Sequence, residues 1–577
     1  MSRTIRWLVL TVFVLLVVSL TVVLIALSML GPAPAAPWRP ERVLLVELRG
    51  EIPELKPRAV FGELVGRQKL DLRDLLEAFA AARDDDSIVG VLLDVGGISA
   101  GWAQIEELRE ALEDLRESGK WTTAFFESAG EFGGGNASYY LASACDRVVV
   151  APPGHLGLTG LRVETPFVRE LLSRLEIEPQ FGRRKEFKNA VNLYTERDYT
   201  DTHRQATSRL ITSVFDTLVA GIVHGRALTP ERVRELIDAG PFTAEEARDA
   251  GLIDDIAYRD EVHEEIESEL GIDEPFIDLG TYLGRQRLFR GGWQRIALIY
   301  AVGDIARGPS RQQALGGQIV GSDTIAEALR EAREDGSVHA VVLRVDSPGG
   351  SYVASDLIRR ELALTRHEKP IVVSMGNVAA SGGYFISMQA NHLMADANTI
   401  TGSIGVYAGK LVTHEFWLNK LGVRFSGLQV GENAELLSTQ QRYDERGWER
   451  MDKMLDAIYE DFVSKAAEGR GLSVEQLEPL ARGRVWSGRD ALERGLIDEI
   501  GGLRRAVEVA RELAGIPPNT TTELIVLPRR RPFFESLFGP GAAASLPPEL
   551  RRILSQLAAL ADGQEELLID RSVPHIR

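Results

Sequence analysis

Val43-Leu-Leu-Val-Glu-Leu-Arg-Gly-Glu-Ile52 is matched, 253 residues further along, by Ile296-Ala-Leu-Ile-Tyr-Ala-Val-Gly-Asp-Ile305. Three more pairs follow in the same order. Val91-Leu-Leu-Asp-Val95 matches Val341-Val-Leu-Arg-Val345, Ser138-Tyr-Tyr-Leu141 matches Gly383-Tyr-Phe-Ile386, and Ala250-Gly-Leu-Ile-Asp-Asp-Ile256 matches Arg494-Gly-Leu-Ile-Asp-Glu-Ile500. The offset drifts slowly, from 253 through 250 and 245 to 244. Collinear matches of this kind mean two copies of one unit. The period is too long for a solenoid, so each copy is expected to fold around its own core.

Within the second copy, short apolar runs alternate with helical patterns. Ile296–Tyr300, Val341–Val345 and Ile371–Met375 read as strands, Thr324–Glu334 and Ser355–Arg366 as amphipathic helices, and a further helix starts near Ser381. Alternation of this sort predicts an α/β fold with a largely parallel sheet buried on both faces. A longer helix is predicted from Arg446 to Gly469, ending at Gly469 or Gly471.

The chain has 577 residues, 44% hydrophobic and 26% charged, which excludes a disordered or collagen-like protein. Cys145 is the one cysteine, so no internal disulfide framework and no CxxC site is possible. With 84 acids against 66 bases the net charge is −18, which argues against nucleic acid as a partner. From Trp7 to Leu30 no residue is charged, and this run is long enough to cross a bilayer. Arg3 and Arg6 precede it and orient the amino terminus to the cytoplasm. A cleaved signal peptide is the rival reading, since Ala33-Pro34-Ala35 has the form of a cleavage site. The expected division is a stub and anchor at 1–30, a first repeat at 40–290, a second at 291–527 and an extension at 528–577. In that extension, 529–531 are arginines beside Phe533 and Phe534, and 550–568 has an amphipathic pattern. It reads as a tail helix, with a membrane-surface or partner-docking segment as the second reading.

Two turns in the second copy could carry chemistry. The strand at 341–345 runs into Asp346-Ser-Pro-Gly-Gly350, a tight turn with exposed backbone N–H groups. The strand at 371–375 runs into Gly376-Asn-Val-Ala-Ala-Ser381-Gly-Gly-Tyr384, where small residues flank a serine. A nucleophile at a strand-to-helix turn needs such surroundings, because a substrate backbone must approach closely. The N–H groups of Gly382 and Gly349 are the candidate oxyanion donors. A third small-residue turn is Thr401-Gly-Ser-Ile-Gly405. Each turn also reads as plain close packing.

A serine hydroxyl needs an activating base. None of the nine histidines has a suggestive setting: His392 reads as a surface loop residue, and His203, His224, His263 and His575 as exposed. The chain has ten lysines, two of them in Arg183-Arg-Lys-Glu-Phe-Lys-Asn-Ala190 of the first copy. Lys188 has the less polar flank. A desolvated lysine can act as a neutral base, although by composition alone Lys188 also reads as a surface residue.

These motifs together resemble the long, two-repeat signal peptide peptidase A family, also called protease IV. Asp346-Ser-Pro-Gly-Gly-Ser351, Ala379-Ala-Ser-Gly-Gly-Tyr384, Thr401-Gly-Ser-Ile-Gly-Val406 and Phe187-Lys-Asn-Ala-Val191 carry the resemblance, which covers nearly the whole chain. It implies two crotonase-like domains related to the Clp protease subunit and a serine/lysine dyad. The nucleophile falls on Ser381, the general base on Lys188, the lysine-positioning serine on Ser403 and the oxyanion donors on Gly349 and Gly382. Where the Clp relative carries its histidine, Thr401–Val406 has none. The resemblance further implies a single-pass protein of the bacterial inner membrane with its body on the outer side. Hydrophobic peptides left as remnant signal peptides would be its substrates, a homo-oligomer, with a tetramer favoured, its assembly, and no metal or cofactor its requirement.

The two copies differ where this chemistry falls. Asn136 corresponds to Ser381, Ser99 to Gly349, Leu158 to Ser403 and Ala434 to Lys188. The serine and its helpers are in the second copy and the lysine in the first, as one composite site between two repeats would leave them. Two other classes stay open: a crotonase-like acyl-CoA hydrolase or isomerase, which needs no nucleophile, and a catalytically inactive membrane scaffold.

Overall fold

Both apolar runs that open the repeats become central strands of parallel sheets. In the first repeat, β1 (Arg42–Glu51) pairs with β2 (Ile88–Ser99). Between them runs α1 (Leu72–Asp84), capped by the Asp71 side chain. After β2 come α2 (Trp102–Glu117), β3 (Trp121–Phe126), α3 (Asn136–Ala142) and β4 (Arg147–Val150). A strand that does not join this sheet, β5 (Glu178–Arg184), follows, and then the long helix α4 (Asp201–Arg226). The repeat closes with β6 (Asp255–Ile256), α5 (Arg259–Leu270) and β7 (Phe276–Asp278). The sheet order is β6-β4-β3-β2-β1-β7, parallel throughout. The computed structural model describes residues 41–56, 70–131, 134–288, 294–312, 317–517 and 520–528. The apolar run at 7–30 and the extension beyond 528 lie outside the described residues.

The second repeat repeats the plan. Its elements are β8 (Gln294–Val302), α6 (Ser322–Glu334), β9 (Val338–Ser347), α7 (Tyr352–Thr365), β10 (Ile371–Ala380), α8 (Gly382–Ser387), β11 (His392–Ala395) and β12 (Ile400–Gly402). There follow β13 (Val406–Val412), α9 (Glu445–Arg470), β14 (Val485–Ser487), β15 (Glu499–Ile500), α10 (Leu503–Leu513) and β16 (Thr522–Leu527). The order β14-β12-β10-β9-β8-β16 is parallel except for β12 with β14, and β11 joins β10 to β15. As expected, α9 ends at Gly471, whose φ of +64° suits glycine. The strand predicted to end at Met375 instead runs on to Ala380. Gly376 and Asn377 interrupt its apolar run, yet the strand continues by changing partners. Val372–Met375 pair with β11, and Val378–Ala380 pair with β12. That continuation delivers Ser381 to the end of the sheet.

The repeats share one core. One face of the second sheet is covered by its own α6 and α7 through Ile325, Leu329, Ile358 and Leu362. The other face, with Leu298, Val342 and Val372, joins α10 and the helices of the first repeat in a single apolar cluster. At this junction Arg344 of β9 is fully buried and pairs with Glu54 at 2.8 Å and Glu107 of α2 at 2.5 Å. Most telling is β5, which leaves its own repeat and pairs antiparallel with β13 of the second, Gly182 opposite Ala408.

Among the described residues, one helix, α4, is long and apolar enough to cross a membrane by length and composition. It belongs to the folded body. Leu218, Val219 and Ile222 are buried in the first repeat's core, and Arg209 forms a bidentate pair with buried Asp490 of the second repeat.

Candidate active site

Ser381 stands between β10 and α8 with φ +53° and ψ −114°. A non-glycine residue in this region carries a strain of about 1–3 kcal/mol, held by its surroundings. Here the Ser381 N–H donates to the Gly402 carbonyl at 2.9 Å, and its carbonyl accepts from Phe385 N–H in the first turn of α8. The strand edge and the helix start thereby pin the residue at both ends. Gly382 and Gly383 are needed behind it: a Cβ on either would meet Ser355 Oγ at 2.7 Å or the Ser347 carbonyl at 2.5 Å.

Lys188 lies just beyond β5, on the loop that the cross-repeat pairing carries to the second sheet. It is 3% exposed. Nζ lies 3.0 Å from Ser381 Oγ, 2.9 Å from the Ser403 carbonyl and 2.9 Å from Ser403 Oγ. Lys188 forms no ion pair among the described residues. Burial therefore acts unopposed and lowers its pKa to about 7. A neutral amine has two protons and one lone pair. Three partners at these distances match that set: the amine donates to the two Ser403 oxygens and turns its lone pair to the Ser381 hydroxyl. Ser403 itself has φ +52°, and its N–H donates to the Arg484 carbonyl at 2.7 Å. Lys185, the neighbouring candidate, is exposed and places its ammonium 5.5 Å from the Tyr459 ring centre.

The turn after β9 faces the same point. The Gly349 carbonyl accepts from Ile305 N–H, and the Ser351 side chain caps α7. Gly349 has φ +106°, and a Cβ there would stand 2.5 Å from Gly382 N and 2.9 Å from Ser381 Cβ. It would fill the space in front of the Gly382 N–H. The expectation for Gly349 as a donor is corrected, because its own N–H donates to Ser347 Oγ at 3.1 Å. Among the described residues, the N–H groups of this turn and of Gly382 without an acceptor are those of Gly350 and Gly382. Gly349 contributes clearance, and the second donor passes to Gly350.

The first repeat has no counterpart of this site. Ile52 N–H donates to the Ser99 carbonyl as Ile305 N–H does to Gly349, which fixes that correspondence. Tyr139 and Tyr384 both donate their hydroxyl to a leucine carbonyl, Leu252 and Leu496, which aligns Asn136 with Ser381. By backbone bonding, however, Gly135 takes the Ser381 place, since Gly135 N–H donates to Gly157 as Ser381 N–H does to Gly402. The helix there starts one residue early. The Asn136 amide is absorbed by Thr159 and Gly160, and Leu158 is fully buried. Ala434 is exposed.

Some features were not legible beforehand. Gly483 has φ +79°, and a Cβ on it would lie within 2.7 Å of Lys188 N, Cα and Cβ, so it lets the lysine loop close. Phe187 N–H donates to the Arg482 carbonyl, and Arg482 pairs with Glu186 at 2.8 Å. The string Arg482-Gly-Arg484 carries no motif that announces this. His392 is not a loop residue: it opens β11 and bonds Glu499 at 3.0 Å. His203 and His263 are half-buried rather than exposed. A cleft of about 650 Å³ lies on the outer side of the lysine loop, lined by Lys185, Tyr459, Val463 and Glu478, and neither Ser381 nor Lys188 borders it. No cluster of metal-ligating side chains occurs among the described residues.

The model of peptidase family S49 matches residues 123–273 and 363–517, one segment in each repeat. The chloroplastic serine protease SPPA of Arabidopsis thaliana is 34% identical over 507 residues, which cover 86% of this chain and 73% of the plant protein. Protease 4 of Haemophilus influenzae is 31% identical, over 90% of this chain and 86% of its own. A solved ClpP1 variant from Listeria monocytogenes overlays 37% of this chain and 94% of its own, at 19% identity and a TM-score of 0.24. A paired α/β body with a serine held at a sheet end thus falls, by the first three likenesses, in the class of serine proteases. The chain belongs to peptidase family S49.

Proposed function

We propose that this protein is a membrane-anchored serine endopeptidase that uses a Ser381/Lys188 dyad to degrade cleaved signal peptides. Its two repeats would be crotonase-like domains, with the run at 7–30 as the anchor and the body on the outer side of a bacterial inner membrane. The observation that carries the reading is the 3.0 Å approach of a buried, charge-isolated lysine amine to a serine hydroxyl.

In this reading Lys188 as free amine takes the Ser381 proton while Oγ attacks the scissile carbonyl. The Gly382 and Gly350 N–H groups stabilise the oxyanion, in the manner of backbone donors set before charge develops. The ammonium that forms is held by the two Ser403 oxygens and passes its proton to the leaving amine. Water, activated by the same amine, then resolves the acyl-enzyme. No step calls on a metal or cofactor. An extended peptide suits the site because the turn at Gly349 and Gly350 and strand β13 both offer backbone for strand addition. An apolar substrate suits an anchored enzyme.

A fluorophosphonate probe on the full chain tests this. Labelling at Ser381 that Lys188→Met abolishes supports the dyad. An unlabelled chain that turns over no hydrophobic peptide ester sinks it, and acyl-CoA turnover untouched by Ser381→Ala would favour the hydrolase or isomerase class instead.

A further inference from the structure

The junction between the repeats is directional. The first repeat is the donor: it lends β5 to β13, and its α2 lies on the second repeat's sheet. The second repeat owns counterparts of both donor features, and within the chain nothing receives them. Counted from Leu175 and Leu421, which close equivalent short helices, β5 corresponds to residues 424–430. That segment is unpaired and exposed, with Leu428 at 105% and Val430 at 98%. The acceptor β13 corresponds, through Ser403 and Leu158, to residues 161–167 of the first repeat. These too are unpaired, with Val163 half exposed. The register of β5 on β13 puts Gly182 opposite Ala408. Transferred to the counterparts, it puts Leu428 opposite Val163, so two exposed apolar side chains become a cross-strand pair.

The helix contact has the same property. Within the chain Glu110, ninth residue of α2, bonds Arg504, second residue of α10, at 3.3 Å. The ninth residue of α7 is Arg360 and the second residue of α5 is Asp260, both exposed. Both members of the pair have changed sign. Around Arg360, α7 exposes Val353 and Leu357 at 50% each. Their counterparts in α2, Ala103 and Glu107, are buried at the junction. An apolar stripe and an unpaired strand in water are both costly.

We propose that copies of this chain join head to tail, the second repeat of one docking on the first repeat of the next. Residues 424–430 add as an antiparallel strand to residues 161–167, and α7 sits against α5 with Arg360 on Asp260. The occupant is a second copy because sign reversal at both ends of an existing internal pair matches this chain to itself. Such a heterologous contact repeats until it closes a ring or extends as a filament. This deepens the expected homo-oligomer, and it does not depend on the dyad chemistry.

The test mixes two full-length single-cysteine chains in detergent, Leu428→Cys and Val163→Cys, under mild oxidation. Cys145 is buried and does not compete. A covalent dimer from the mixture, absent from either chain alone, is the expected result. Light scattering should find the wild type multimeric, Arg360→Asp smaller, and Arg360→Asp with Asp260→Arg restored. A monomeric wild type, or no cross-link together with an unchanged mass for Arg360→Asp, overturns the interface. Fluorophosphonate labelling of the same samples reads the dyad separately: a chain that labels without cross-linking fails only here.

Discussion

Lys188 Nζ and Ser381 Oγ stand 3.0 Å apart across 193 residues of chain, one from each repeat. The contact exists because β5 abandons its own sheet for β13. The candidate chemistry is therefore tied to the stability of the junction, and the predictions below separate the two.

Ser381→Ala should lower peptide hydrolysis by at least about 10⁴-fold, as loss of a nucleophile does elsewhere. The circular dichroism spectrum and thermal midpoint should stay close to wild type, because the hydroxyl has one partner and the backbone strain remains. Retention of most of the activity would remove Ser381 from the reaction.

The pH profile should rise with deprotonation around a midpoint near 7, since burial lowers the Lys188 pKa to about 7 and the neutral amine is the active form. An ordinary lysine would place the rise near about 10.4. Lys188→Arg should be inactive at every pH, because guanidinium stays protonated. Kinetics from about pH 5 to 9 check both points.

Gly349→Ala should cut kcat by about 10²–10³-fold, the usual cost of losing one oxyanion donor. Its Cβ would stand 2.5 Å from Gly382 N, at a φ that favours glycine. Gly349→Ser would install the residue of the first repeat. A fall confined to KM would mean that the turn binds substrate only.

Arg344→Met should destabilise the junction by about 3–5 kcal/mol, because Glu54 and Glu107 would be left as buried carboxylates without their cation. Adding Glu54→Gln and Glu107→Gln should recover much of that loss. Denaturant unfolding gives the energies, and probe labelling of Ser381 should fall with the single variant, since the lysine arrives across this junction.

Stability should fall as pH rises through about 8. Glu106 of α2 lies in the same junction, and burial raises its pKa to about 8, against the Asn398 backbone bond that it accepts. A raised carboxyl pKa means that the folded state holds the proton more tightly. Its contribution is complete below the unfolded value and is lost through the folded one. Glu106→Gln should flatten the thermal midpoint between about pH 7 and 9, and an unchanged slope would assign the titration to another group.

Duplication, alternating α/β order, both glycine turns and the Ser381 motif are all written in local sequence. They depend on periodicity and on residues adjacent in the chain. The Gly349 donor role was misread for the same reason. Motif position locates the turn, but which N–H stays open depends on how Ser347 Oγ folds back. Likewise the break at Gly376 and Asn377 looked like a strand end, and only the change of partner from β11 to β12 shows that it is not.

What the amino-acid order determined by itself was the pair of repeats and the residue types of the site, since hydrophobic period and turn chemistry act over a few residues. Whether Lys188 is a solvated surface cation or a buried base was decided only in three dimensions. Its state depends on desolvation, and desolvation is set by Ser403, Gly483 and β13, all more than two hundred residues away, which no local pattern around Lys188 encodes.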